Sequence, residues 1–311
     1  MLKKLCIVIL VTALLAVSIA GHSPKRIALS IDDAPSPDTP LFTGKQRTLA
    51  TIAQLKKAKS PPVGVFAIGR HVVDFGADQL NAFARAGHAI GNHTFTHLPL
   101  KSCNTHQYIQ DIARTDLLLK QLPGYVQLFR YPCLDEGNPQ QSHQVQAALT
   151  QMGYTNAYVT INNFDFYMNT LVQQAVRRGQ FVDFQKLKDV YVRVMLECVE
   201  FYDGLATLQK RHPLNHVLLL HANDLTALYV GDLLTALRER GWTIISIHNA
   251  YKAVPKNFKN KFAKVQMELT ANPASLRNAP KGMSLSYLSE LFKQENVFID
   301  VKPLQTYTAA K

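Results

Sequence analysis

The sequence predicts an α/β fold in which helices enclose a mainly parallel β-sheet. Short apolar runs alternate along the chain with longer segments of helical periodicity, which is the pattern of successive βα units. Hydrophobic residues make up 47% of the chain and charged residues 18%, so a sizeable core can be buried. About seven apolar runs over this length favour a barrel over a small open sheet.

Each predicted strand is a short apolar run, and each predicted helix repeats apolar residues three and four positions apart. The predicted strands are Arg26–Ile31, Val63–Ile68, His88–Gly91, Leu128–Arg130, Ala157–Thr160, His216–Leu220 and Thr243–Ile247. The predicted helices are Lys45–Lys57, Asp78–Arg85, His106–Leu122, Gln141–Met152, Asn169–Lys210 with a break near Gly179, Gly231–Arg240 and Ser284–Lys293.

The N-terminal residues predict export. Lys3 and Lys4 precede the apolar run Leu5–Ala20, which ends in small residues, so residues 1–20 are predicted to form a signal peptide. At about 16 residues the run is short for a membrane span, although an uncleaved anchor is the competing interpretation. We therefore expect a secreted or periplasmic protein with no stable membrane span after cleavage.

The rest of the chain divides where the alternation of strands and helices stops. Residues 21–250 carry the alternation and form the predicted main domain, with a helical insert at about 169–210. Residues 251–311 contain prolines, lysines and one predicted helix, and are predicted to be a C-terminal extension packed on the domain.

Composition also bears on partners and redox state. The formal charge of +12 favours acidic partners such as nucleic acid, an anionic membrane or an anionic cell-wall polymer. Export and the lack of a nucleic-acid motif argue against nucleic acid. Three cysteines follow the signal peptide, Cys103, Cys133 and Cys198, so at least one is free whichever two might pair.

Two motifs that follow predicted strands offer groups for a metal ion. Asp32 and Asp33 end the first strand, and neighbours in an extended segment point different ways, so one could bind a metal and the other act as a base. His93 and His97 are spaced to share one face of a helical turn, a common arrangement for two zinc ligands. Taken singly, the acid pair is better explained as a polar strand end, and the histidine pair is as well explained by surface or core histidines.

Arg130 and His221 also follow apolar strands. An arginine there can hold a carboxylate through two hydrogen bonds, or simply lie on the surface beside a turn. A histidine closing a strand is either a core residue or a titrating group at the mouth of a barrel. Together the four motifs supply metal ligands, a base, an orienting cation and an acid, which metal-assisted hydrolysis requires.

In order and spacing these motifs resemble the polysaccharide deacetylases, the NodB-homology domain of carbohydrate esterase family 4. The resemblance extends from about Lys25 to about Tyr251. The matching stretches are IALSIDDAP ending at Pro35, His93-Thr94-Phe95-Thr96-His97, Arg130-Tyr131-Pro132 and Leu218-Leu219-Leu220-His221. The resemblance implies a deformed (β/α) barrel and one divalent metal ion, usually zinc, although cobalt, iron or nickel would suit the same donors.

The resemblance also implies a role for each matching residue. The metal ligands would be Asp33, His93 and His97. Asp32 would be the base, Arg130 would orient Asp32, and Asp165 would support Arg130. His221 would protonate the leaving group. The residues that contact the substrate would be Tyr131, Pro132 and Leu218, with a backbone N–H near Tyr131 stabilising the oxyanion.

The sequence departs from the family pattern at two places. Ala34 stands where the family usually has glycine, which is tolerable only if its φ is negative. The family's Asp-Trp pair is replaced by Asn162–Tyr167, which offers one acid, Asp165, and no tryptophan.

The expected function is an exported deacetylase acting on N-acetylated or O-acetylated carbohydrate, such as peptidoglycan or chitin-type sugars. The expected partner is thus an acetylated carbohydrate, with an anionic cell-wall polymer as one form of it. The alternative is a catalytically silent carbohydrate-binding envelope protein on the same scaffold.

Overall fold

The computed structural model describes residues 24–208, 215–252 and 280–300 of the 311-residue chain. The predicted signal peptide and most of the lysine-rich segment that follows residue 251 lie outside these residues. The strands are β1 (Arg26–Ala34), β2 (Gly64–Ala67), β3 (Ala89–Asn92), β4 (Tyr125–Phe129), β5 (Thr155–Asn156), β6 (Phe181–Val182), β7 (Asn215–His221), β8 (Thr243–Ile244) and β9 (Phe298–Ile299). The helices are α1 (Gly44–Lys57), α2 (Gly69–Phe75), α3 (Asp78–Arg85), α4 (Thr105–Leu119), α5 (Pro139–Gln151), α6 (Asp165–Arg177), α7 (Phe184–Leu208), α8 (Asp224–Glu239), α9 (Ile247–Tyr251) and α10 (Leu285–Gln294).

The main sheet is parallel and curls into a deformed barrel, as predicted. Its strand order is β5-β4-β3-β2-β1-β7, and β8 pairs with the start of β1. The segment after β5 joins the two ends of the sheet. There Ala157 N–H donates to the Phe129 carbonyl at 2.7 Å, and Ile161 makes a parallel bridge to Leu218 of β7.

The two faces of β1 have different environments because side chains alternate along a strand. Ile27, Leu29 and Ile31 are buried in the large hydrophobic cluster beneath the helices. Ala28 lies in a smaller cluster with Phe66, on the other face of the sheet. Ser30 and Asp32 share this second face with Ala28, so polar groups line the interior of the barrel towards the carboxyl end of β1.

Most predicted elements are present, one predicted strand is absent, and others differ at their ends. The predicted strand at Ala157–Thr160 is not one, because the chain is crossing from β4 to β7 there. The predicted strand at Thr243–Ile247 ends at Ile244, and Ser246 caps α9 instead. Helix α8 begins well before Gly231, because Asn223 caps it by accepting a hydrogen bond from the Thr226 N–H.

The helical insert is two helices, α6 and α7, as predicted from Gly179. This glycine follows the last turn of α6 with φ of +70°, a backbone conformation that ends a helix without steric cost to glycine. Between the helices, β6 pairs antiparallel with β9 from the C-terminal region. Helix α10 buries Leu288, Leu291 and Phe292 in the same large cluster as the insert.

Two other properties concern the described residues as a whole. All three cysteines, Cys103, Cys133 and Cys198, are free thiols. Among the described helices, none is both long and apolar enough to cross a membrane.

Candidate active site

The residues singled out in the sequence meet at one end of the barrel. Asp32 and Asp33 lie at the end of β1, and His221 is the last residue of β7, opposite Asp32 in the parallel pairing. His93 follows β3 directly, and Arg130 follows β4. The carboxyl ends of parallel strands lie on one face of the sheet, which is why segments far apart in sequence converge here.

Asp33, His93 and His97 form a nearly equilateral triangle of metal-ligand atoms. The His93 Nε2 and His97 Nε2 atoms are 3.2 Å apart. Asp33 Oδ1 is 3.5 Å from His93 Nε2 and 3.2 Å from His97 Nε2. Ligands about 2.0 Å from a tetrahedral zinc ion are separated by about 3.3 Å, so the triangle has the dimensions of three corners of such a site.

The chemistry of these atoms also suits a cation. The His93 Nδ1–H donates to the Arg130 carbonyl oxygen at 2.8 Å, which leaves the Nε2 lone pair of the neutral ring directed at the triangle. Asp33 Oδ1 is buried and has no hydrogen bond of good geometry. Burial alone would raise the pKa of Asp33, but contacts with His93 and His97 hold it well below its usual range. The residues present therefore fit one divalent metal ion.

The His93–His97 segment is not the helical turn predicted from its spacing. It is an irregular loop in which Thr94 and His97 have φ of 61° and 58°. The histidines still converge, because this sharp loop turns both rings to the same side. His97 N–H donates to Thr94 Oγ1 at 3.0 Å within the loop.

Asp111 of α4 holds this loop, and no motif in the sequence marks it. Its Oδ2 accepts hydrogen bonds from the backbone N–H groups of Phe95 at 3.0 Å and Thr96 at 2.8 Å. The Thr96 hydroxyl donates to the same oxygen at 2.9 Å. Asp111 thus supports the metal-ligand loop without touching the ligand atoms.

The substitution of alanine for the family's usual glycine costs no backbone strain here. Asp33 has a positive φ of 67°, whereas Ala34 is not among the described residues with positive φ. The methyl group of Ala34 is buried within the hydrophobic core. The turn at the end of β1 is therefore made by the ligand residue itself, and Ala34 is compatible with an intact site.

Asp32 and Arg130 form a buried ion pair inside the barrel. Arg130 Nη1 lies 3.0 Å from each Asp32 oxygen, and both side chains are almost fully buried. Arg130 Nη2 donates to Ser30 Oγ at 3.2 Å, and Nε donates to the Ala157 carbonyl. The guanidinium also lies over the Phe66 ring, 4.4 Å from its centroid. The predicted orientation of Asp32 by Arg130 has the required geometry.

Asp165 does not support Arg130, which corrects the role implied by the resemblance. Asp165 begins α6 beside β7, and its Oδ1 lies 2.6 Å from His221 Nδ1. Its Oδ2 accepts the His221 N–H and the Asn223 side-chain amide, each at 2.9 Å. Asp165 is therefore the orienting partner of His221.

This pairing sets the charge of His221. Burial alone would lower the pKa of His221, but the Asp165 carboxylate, with smaller contributions from Asp33 and Asp32, raises it to about 10. The imidazole is therefore a cation at neutral pH. Its Nδ1–H faces Asp165, and its Nε2–H is the proton that Asp165 does not bind. Phe166, which is 46% exposed, packs edge-on against this ring with centroids 5.7 Å apart.

The three predicted substrate contacts differ in their surroundings. Among the described residues, none accepts a hydrogen bond from the Tyr131 backbone N–H, so that group remains available as a donor. Pro132 is buried at the start of a short 3-10 turn. Leu218 is fully buried on the helix-facing side of β7, because an offset of three residues places it on the opposite face from His221. Leu218 therefore serves packing, and the prediction that it contacts substrate is not supported.

Fold and site together define a parallel barrel in which, among the described residues, one Asp-His-His group at the carboxyl ends of the strands has the dimensions to hold a metal ion. Residues 20–157 match the family described as polysaccharide deacetylase, which confirms the resemblance seen in the sequence.

Two characterised relatives are similar over part of the chain. A peptidoglycan-N-acetylglucosamine deacetylase of Bacillus cereus is 30% identical over 111 residues, 36% of this chain and 37% of that protein. A chitooligosaccharide deacetylase of Rhizobium leguminosarum bv. trifolii is 31% identical over 97 residues, 31% of this chain and 40% of that protein. The matched region thus spans less than half the length of these curated relatives.

Solved structures extend the similarity of fold over most of the chain. A peptidoglycan N-acetylglucosamine deacetylase in complex with a hydroxamate-type benzamide superposes with a TM-score of 0.53 at 20% identity, covering 75% of this chain and 92% of that one. A mutant of a CE4 family pseudoenzyme with restored enzymatic activity gives a TM-score of 0.51 at 20% identity, covering 74% and 69%. The fold is therefore confirmed.

Proposed function

We propose that this chain is an exported, metal-dependent deacetylase that hydrolyses acetyl groups on carbohydrate, the N-acetyl amide of a glucosamine unit above all. The observation that carries the proposal is the triangle of Asp33, His93 and His97 ligand atoms, with edges of 3.2 to 3.5 Å, beside two further ionisable groups. Asp32 and His221 are register partners on the neighbouring strands β1 and β7 at the same site.

Asp32 is suited to the role of general base. Its Oδ2 is 3.7 Å from His93 Nε2, so it borders the ligand triangle without belonging to it. A divalent ion bound to the triangle would polarise the acetyl carbonyl and make a water molecule more acidic. Arg130 fixes the orientation of the Asp32 carboxylate, which can then accept a proton from the attacking water.

His221 is suited to the role of general acid. An amine leaves poorly as an anion, so hydrolysis of an amide needs a proton donor at the nitrogen. The Asp165 partner keeps His221 protonated at neutral pH and orients its ring. The Tyr131 backbone N–H, which has no acceptor within the described part of the chain, can stabilise negative charge on the acetyl oxygen.

The substrate class follows from the relatives and the charge of the chain, and the location from its N-terminal residues. The two characterised relatives are named for peptidoglycan N-acetylglucosamine and chitooligosaccharide, which favours an N-acetylated glucosamine polymer. The formal charge of +12 suits an anionic wall polymer such as peptidoglycan. The basic N-terminus and apolar run at Leu5–Ala20 support export.

The experiment that tests this proposal is acetate release from a panel of chitin oligomers, peptidoglycan, acetylated xylan and a small acetyl ester. Each substrate is incubated with the zinc-loaded protein, the chelator-treated protein and the Asp32→Asn variant. Asp232→Asn is the matched control, since Asp232 is a surface residue of α8 paired with Lys188 at 3.9 Å.

Release that requires the metal and falls about 10²- to 10⁴-fold in Asp32→Asn, the usual contribution of a general base, would support the proposal. Release that persists after chelation would exclude the metal mechanism. Sugar binding without acetate release, unchanged in Asp32→Asn, would support the silent carbohydrate-binding alternative instead.

A further inference from the structure

A buried ion pair lies outside the metal set and the two catalytic pairs. Arg47 of α1 and Asp224, the first residue of α8, are 2% and 0% exposed. Arg47 Nε lies 2.6 Å from Asp224 Oδ1. Neither residue belongs to a motif of the resemblance, and neither is needed for the chemistry described above.

Arg47 also holds the segment that follows the metal ligand Asp33. Its Nη1 donates to Ser36 Oγ at 2.9 Å and to the Pro37 carbonyl at 2.8 Å, and its Nη2 donates to Thr39 Oγ1 at 3.0 Å. Ser36 Oγ in turn donates to the Ala222 carbonyl at 2.7 Å. One guanidinium therefore ties the loop after β1 to the residue that follows His221.

Asp224 connects the same network to α6. Its Oδ2 accepts hydrogen bonds from Thr39 Oγ1 at 3.0 Å and from the Gln173 side-chain amide. Its backbone N–H donates to Asn169 Oδ1 at 3.2 Å. Gln173 and Asn169 both lie on α6, the helix whose first residue, Asp165, orients His221.

This hydrogen-bond network lies just beyond the point where the pairing of β1 and β7 ends. β1 and β7 are in register up to Asp32 and His221, and the Ala222 N–H donates to the Asp32 carbonyl at 2.8 Å. Beyond that point the register pairs of the two strands end, and side chains make the contacts between the loops that follow. A buried ion pair is seldom worth more to stability than apolar residues of the same volume, so stability alone is a weak reason for this one.

We propose that Arg47 and Asp224 are positioning residues that fix the loop after Asp33 and the start of α8 relative to the Asp165–His221 pair. The proposal rests on the deacetylase function, because its consequence is a catalytic one. We call this pair the Arg47–Asp224 clamp. Misplacement by about 1 Å of groups around a reacting centre can lower the rate about 10²-fold, so loss of the clamp is expected to lower kcat.

The test compares two variants with a matched control. Arg47→Met/Asp224→Leu removes both charges together and so leaves no unpaired buried charge. Arg47→Lys keeps the charge opposite Asp224 but lacks the two terminal guanidinium nitrogens that donate to Ser36 and Thr39. The control is Arg193→Met/Glu295→Leu, an exposed ion pair of 2.6 Å between α7 and the end of α10.

Four quantities are measured for each variant: kcat and KM for acetate release, the zinc Kd, and amide hydrogen exchange of residues 35–43 and 222–226. We expect kcat to fall about 10- to 100-fold in both clamp variants, with KM and zinc Kd within about threefold of the parent. Exchange in both segments should accelerate at least about tenfold, while β1 and β7 stay protected. The control should change none of these quantities.

Unchanged kcat in a folded clamp variant would overturn the proposal, as would exchange that accelerates equally throughout the domain. If the double variant does not fold, Arg47→Lys decides the question alone. If the parent protein releases no acetate, the deacetylase function fails. The exchange data would then show separately whether the clamp orders the two loops.

Discussion

The pairing of Asp165 with His221 gives a quantitative prediction for Asp165→Asn. The Asp165 carboxylate is the main cause of the pKa of about 10 for His221, against an ordinary value of 6.5. Without this charge, burial lowers the pKa of the ring again and only the smaller contributions of Asp33 and Asp32 raise it, so we expect a value within about half a unit of 6.5 in the variant. At pH 8 the protonated fraction of His221 then falls from about 99% to about 9% or less.

The assay is NMR titration of the His221 imidazole in the metal-free protein, followed by acetate release by the zinc-loaded protein at pH 8. We expect at least about a tenfold loss of release, because a deprotonated ring is no proton donor. Asp232→Asn serves as the control, since Asp232 contacts Lys188 on the surface and not His221. A His221 pKa that stays within about half a unit of the parent value in Asp165→Asn would refute the reasoning.

The same pairing makes stability depend on pH, and the sign follows from the raised pKa. Stabilisation by protonated His221 is fully present below pH 6.5 and is lost as pH rises through about 10. In this range the free energy of unfolding should fall by up to about 1.4 kcal/mol per pH unit from this group. Asp165→Asn should lack that slope, and it should also cost about 1–3 kcal/mol, because one amide oxygen cannot replace both carboxylate oxygens.

His97→Gln should weaken zinc binding by at least about 10²-fold in calorimetry, because it removes one of three ligands; an unchanged Kd would mean that the ion binds elsewhere. Asp111→Ala, which removes the support of the ligand loop, should weaken zinc binding about tenfold, and a normal Kd would show that the loop holds its shape unaided. Arg130→Met should lower the free energy of unfolding by about 3–5 kcal/mol in urea, because Asp32 is left buried without its partner. The exposed Arg193→Met should cost less than about 1 kcal/mol, and a similar loss in both variants would contradict the buried-pair argument.

Elements with a clear apolar pattern could be predicted from the sequence, whereas ends that depend on hydrogen bonds to distant or capping residues could not. Asp78–Arg85 is a helix with the bounds predicted from its periodicity, and β7 extends the predicted His216–Leu220 by one residue at each end. The start of α8 was missed, since it depends on a hydrogen bond from Thr226 to the cap Asn223. The crossing at Ala157 and after was predicted as a strand because its residues are apolar, but hydrogen bonds to β4 at one end and β7 at the other determine its path.

In the candidate site, too, the sequence predicted the residues, whereas tertiary contacts determined their conformation and partners. The spacing of His93 and His97 indicated two ligands, but the helical turn inferred from it is wrong, because hydrogen bonds to Asp111 stabilise a loop of positive φ instead. The resemblance placed Asp165 in the site without its correct partner. Only the position of α6 beside β7 shows that the partner is His221 and not Arg130.

The sequence by itself determined the fold class and the types of chemical group, because apolar periodicity and residue identity are local properties of the chain. Only the tertiary structure decided which groups are neighbours. The Asp33–His93–His97 triangle, the Asp165–His221 pair and the Arg47–Asp224 clamp each join segments from different strands or helices. Their distances are set by strand register and helix packing, which depend on the whole barrel and leave no mark in any one stretch of sequence.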